Sequence, residues 1–98
     1  MVGKASITNL LPEGRARDLC LGLGSELRRR RLAAKLSQDQ VSGPLTRAYL
    51  SQVECGRTMP SLAALIVLSE QLGTSADEIL RKVNVTLNQE YSPRHEDR

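Results

Sequence analysis

The sequence predicts an all-α fold: a compact five-helix bundle, with a short β-strand or a frayed tail as the alternatives at its C-terminus. Three observations predict it. The chain has 98 residues, which is room for one domain with one small core. Aromatic residues make up only 2%, with no Phe and no Trp, so the core must be Leu, Val, Ile and Ala, a composition suited to helices packed on helices. Apolar residues also recur at helical steps between capping hydroxyls and terminating glycines.

Residues 1–17 mix Gly3, Pro12 and Gly14 with scattered polar residues and hold no helical period. They are expected to form a mostly irregular arm with a small apolar patch at Ile7, Leu10 and Leu11. Residues 18–82 form the domain. Asp18 caps a first helix over residues 19–34, in which Leu19, Leu23, Leu27 and Arg31 follow steps of four beside Cys20 and face inward. An arginine on that line needs an acidic partner, because an unpaired buried charge is costly. Ser37 caps a second helix that contains at least Gln38 to Val41, and Ser42-Gly43-Pro44 closes it, since proline cannot continue a helix. Gln38, at the first helical position, is placed to hold a phosphate.

Thr46 opens a third, amphipathic helix. Leu50 and Val53 share its inner face, Arg47, Ala48, Ser51 and Gln52 lie on the other, and Gly56 ends it. Arg47 and Gln52 carry side chains suited to base edges, arginine to guanine and glutamine to adenine. A polar outer face alone is ordinary for any surface helix. Ser61 caps a fourth helix, Leu62 to Leu72, with Leu62, Leu65, Ile66, Leu68 and Leu72 as its apolar line and Gly73 as its stop. Ser75 with Glu78 forms a capping box for a short fifth helix that buries Ile79 and Leu80. Residues 83–98 form a C-terminal extension. Val83, Val85 and Leu87 alternate with Asn84 and Thr86, which predicts a strand able to pair two copies, ahead of a polar tail.

Net charge is +3, and its distribution says more than its size. Arg28, Arg29, Arg30, Arg31, Lys35, Arg47 and Arg57 cluster in the first half of the domain, against Glu26, Asp39 and Glu54. A one-sided basic surface is the expected footprint of phosphate contact, although many charge runs are only solvated helix surface. No apolar run is long enough to cross a membrane, and no signal peptide is read. Cys20 and Cys55 are too few and too far apart for a zinc site or a disulfide framework, which points to a reducing cytoplasm. No carboxylate pair, phosphate-binding loop or Ser-His-Asp spacing is present, and the lone His95 lies in the charged tail. The expectation is therefore a protein that is not an enzyme and has no metal or cofactor.

Two short helices about a tight turn, within five helices, make a helix-turn-helix. Leu27 and Arg31, Leu36-Ser37-Gln38, Leu50-Ser51-Gln52-Val53-Glu54-Cys55-Gly56-Arg57, Pro60-Ser61-Leu62, Leu65, Leu72-Gly73-Thr74-Ser75 and Ile79-Leu80 form an ordered set over residues 22–81. In these residues the chain resembles the lambda-repressor-like, Cro/C1-type or xenobiotic-response-element family of helix-turn-helix DNA-binding domains. It departs from that family at Ser42-Gly43-Pro44, where the connection into the third helix is shorter and the customary glycine turn is missing.

The resemblance implies that Arg47, Ala48 and Gln52 read bases and that Gln38 clamps a phosphate. It places Arg57 and Thr58 in a loop that touches the DNA backbone, and it implies an internal ion pair between Arg31 and Glu54. Thr46 and Ser51 join the backbone-contact candidates, as does Tyr49, which either bonds a phosphate or packs. The function expected is a transcriptional regulator, in the commoner case a repressor, acting as a homodimer on a near-palindromic operator in double-stranded DNA. The alternative is an antitoxin or adapter that uses the same fold to bind a protein partner.

Overall fold

The structure is a computed structural model that describes the backbone of residues 13–91 and the side chains of residues 14–84. The Ile7, Leu10 and Leu11 patch and residues 92–98 of the tail, with His95, lie outside the described residues. The helices are α1 (Glu13–Ala33), α2 (Gln38–Ser42), α3 (Arg47–Glu54), α4 (Leu62–Gln71) and α5 (Ala76–Tyr91). No strand occurs among the described residues. The core joins Leu23 and Leu27 of α1, Val41 of α2, Leu50 and Val53 of α3, Leu65 and Leu68 of α4, and Ile79 and Val83 of α5.

Local chemistry sets most of the boundaries. Ser37, Thr46 and Ser61 are extended and accept from the N–H groups of Gln40, Tyr49 and Ala64, respectively. Gln40 also accepts from the Ser37 N–H at 2.8 Å, which completes a capping box on α2. Gly56 leaves α3 with φ 74°, and Gly43 leaves α2 with φ 58°.

Several expectations need correction. Residues 13–17, assigned to the irregular arm, are helical, and Asp18 lies inside α1 rather than capping it. Pro12 and Gly14 suggested a break there. A single glycine lowers helix propensity without ending a helix, however, and Gly14 lies in the first turn of α1. The all-α bundle of five helices is found as expected, and the strand it left room for at the C-terminus does not form, because residues 83–91 continue α5. Ile79 and Val83, both buried, lie four apart on the face that meets α1. Packing along that line overrides the strand preference of valine and threonine.

Leu62, Ile66 and Leu80, expected in the core, are exposed. The inward line of α4 is Ala64, Leu65 and Leu68, and Leu62 and Ile66 form a neighbouring row turned outward. The Ser75 box is half made. Its hydroxyl accepts from the Glu78 N–H at 3.4 Å, but the Glu78 carboxylate accepts from Arg81 at 3.2 Å.

Candidate nucleic-acid interface

The pairing of α2 with α3 depends on a buried polar network. Arg31, near the end of α1, donates through Nε to Glu54 Oε2 at 2.7 Å and through Nη2 to Glu54 Oε1 at 2.9 Å. Its Nη1 donates to the Leu36 carbonyl at 2.9 Å. Both side chains are buried. The hydrogen bond that Arg31 donates to Glu54 is the main cause that raises the Arg31 pKa above the ordinary guanidinium range. Gln38 Nε2 donates to Glu54 Oε1 at 3.0 Å, so one carboxylate ties the end of α3 to both α1 and the start of α2. Among the described residues no buried side-chain nitrogen or oxygen is left without a partner.

Close approach of α1 to α3 requires Gly24. A Cβ there would overlap the Val53 carbonyl oxygen and lie 2.8 Å from that of Glu54. The face of α3 that points outward carries Arg47, Ala48 and Gln52, all exposed. Ser51 is half-buried. Tyr49 is half-buried and packs on the core. The Thr46 hydroxyl accepts from the Tyr49 N–H at 3.0 Å, which leaves its own O–H free to donate. After α3 the loop exposes Arg57 and half-buries Thr58. Arg31, Ser37, Gln38, Asp39 and Arg47 together line a concavity between α2 and α3. Asp39, which the sequence shows only as a charge facing the basic cluster, joins this concavity from the first turn of α2.

The basic run Arg28–Arg31 is less free than composition suggests. Glu26 accepts from Arg29 at 2.6 Å and from Arg30 at 2.7 Å, while Arg31 belongs to Glu54. The signal was present in the sequence, because Glu26 lies three and four residues before Arg29 and Arg30. The Arg29 guanidinium foremost, with help from Arg30 and against the effect of burial, holds the Glu26 carboxyl below the ordinary glutamate range. A carboxyl depressed in the folded state stabilises fully above its unfolded pKa, and that share is lost as pH falls through the folded value. In thermal melts taken from neutral pH down through the carboxylate range, Glu26→Gln should therefore lose less Tm on acidification than the parent. Parallel curves would show that Glu26 contributes nothing to acid sensitivity.

The family description "Helix-turn-helix domain" matches residues 22–81. The chain belongs to this family. The match spans the residues from the Gly24 contact to Ile79 and includes both helices about the turn. Among solved structures, this helix-turn-helix chain is similar to the clp gene regulator ClgR from Corynebacterium glutamicum. The TM-score is 0.67 at 25% identity, covering 81% of this chain and 84% of that one. A search of curated proteins gives no significant match. No helix among the described residues is long and apolar enough to cross a membrane, and no cluster of metal-ligating side chains occurs among them. Cys20 and Cys55 are free thiols.

Proposed function

We propose that the protein is a sequence-specific, DNA-binding transcriptional regulator, a cytoplasmic homodimer that represses by covering a near-palindromic operator. The observation that carries this reading is the exposed Arg47, Ala48 and Gln52 face of α3, held beside the concavity of Gln38 and Arg47. Similarity to the clp gene regulator ClgR supports it. Arg47 has the bidentate geometry for a guanine edge and Gln52 that for an adenine edge. Ala48 lets the helix approach the groove closely. Gln38, Thr46, Tyr49, Ser51, Arg57 and Thr58 serve the sugar-phosphate backbone, which fixes register without carrying sequence information. A dimer places two such helices about 34 Å apart, in successive major grooves on one face of the duplex.

Selection of bound duplexes from a random pool tests the reading, because it yields half-site sequence and spacing together. The selected site should bind with a steep salt dependence, near 0.9 log units per log unit of salt for each phosphate neutralised. Weak, salt-insensitive binding would favour the alternative, an adapter or antitoxin that recognises a protein. Arg47→Ala should lose about 1–3 kcal/mol on the selected site and relax preference at one base pair. An equal loss on random DNA would remove Arg47 from base reading.

A further inference from the structure

We propose that Glu54, buried at the end of α3, is a positioning residue for DNA binding that acts through Gln38. The inference rests on the DNA-binding reading and goes beyond it, because it assigns a binding role to a residue whose obvious partner is Arg31. Glu54 Oε2 is committed to Arg31 Nε, and Glu54 Oε1 is shared between Arg31 Nη2 and Gln38 Nε2.

A side-chain amide nitrogen carries two N–H donors at a fixed angle. An ionised carboxylate only accepts, so it admits the Gln38 amide in one orientation, with the nitrogen inward, and excludes the flipped amide whose oxygen would meet Glu54. With one N–H anchored, the second is turned away from Glu54 by the fixed angle at the nitrogen, and Gln38 also lines the concavity with Arg31, Ser37, Asp39 and Arg47. A phosphate oxygen entering there meets a donor whose torsions are already fixed. Ordering a free glutamine side chain on binding would cost affinity that this one does not lose. Arg31 neutralises Glu54 from behind, so the buried carboxylate does not repel the incoming phosphate through the bridge.

NMR of the full chain with a selected operator duplex tests this directly. In the free protein one Gln38 side-chain amide proton should exchange slowly. Addition of DNA should shift the other. Gln38→Met keeps the length and removes both donors. It should weaken selected and random duplexes alike, by roughly tenfold, the size of one hydrogen bond to a charged group. Its salt slope should equal the parent's, since no cation is lost.

Glu54→Gln removes the acceptor-only anchor and should weaken DNA to a similar degree. The double variant should be no weaker than either single one, because both remove the same contact. Additive losses would overturn the role of Glu54. If Glu54→Gln does not fold, the parent spectra decide: an operator that binds with a steep salt slope and moves neither Gln38 amide proton overturns the proposal while leaving DNA binding intact. No binding to any duplex removes both readings.

Discussion

Glu54→Ala is expected to lower stability by about 3–5 kcal/mol, a large share of the 5–15 kcal/mol available to a small domain. The loss comes from what the substitution leaves behind more than from the pair itself. Arg31 is buried, and its Nε and Nη2 have Glu54 as their acceptor. With the carboxylate gone, a guanidinium that cannot deprotonate stays in a nearly dry site, with only the Leu36 carbonyl on Nη1. Gln38 loses its anchor as well. Arg31→Ala should cost a similar amount, by stranding the carboxylate.

The double variant Arg31→Met/Glu54→Leu separates the two contributions. Replacing a buried pair by apolar groups of similar size is often close to neutral, so this variant should recover most of the stability that either single alanine loses. Urea denaturation of the four proteins, read by helical circular dichroism, supplies the comparison. Single variants within 1 kcal/mol of the parent would mean that water reaches the pair.

The need for such a pair is legible in the sequence. Arg31 falls on the inward line of α1 at a four-residue step from Leu27, so the period alone required an acid somewhere. The caps at Ser37, Thr46 and Ser61 were equally legible, because a hydroxyl ahead of an apolar period has one efficient use. What failed was short-range pattern reading where tertiary contact decides. The run Val83 to Leu87 fits a strand by alternation and a helix by continuation from Ile79, and only the presence of α1 across from Val83 chooses between them. Leu62, Ile66 and Leu80 satisfy an apolar period, but the period does not say how wide the buried stripe is.

Lys35 left no local signal at all. It adopts φ 61°, a left-handed conformation that favours glycine, and that turn lets the Leu36 N–H reach the Arg31 carbonyl at 3.1 Å. The candidate DNA face was legible in outline, as the polar side of α3. Its support was not, because Gln38 reaches Glu54 across sixteen positions of sequence.

Three glycines of α1 should respond to the same substitution with different signs, and Gly24→Ala should be the most harmful. At Gly24 the added methyl meets the Val53 and Glu54 carbonyl oxygens. These belong to the backbone of the last turn of α3 and cannot rotate aside as a side chain would. Relief requires α1 and α3 to separate, which pulls on the Arg31–Glu54 pair and on the Leu23, Leu27, Leu50 and Val53 contacts. Overpacking of this kind costs typically about 1–3 kcal/mol, and the rigid obstacle places Gly24→Ala at the upper end or beyond.

At Gly22, two residues earlier, the methyl meets only Val83 Cγ1, at 3.1 Å. That is a side-chain tip able to give by a few tenths of an ångström. The gain in helix propensity, near 1 kcal/mol, should then roughly offset the crowding. At Gly14 nothing lies within 4 Å, so alanine there should leave stability unchanged or raise it by up to about 1 kcal/mol. Melting temperatures of the three variants should therefore rank Gly14→Ala highest and Gly24→Ala far below the others. A Gly24→Ala protein as stable as the Gly22→Ala one would mean that α1 and α3 do not approach as closely as the carbonyl contacts require.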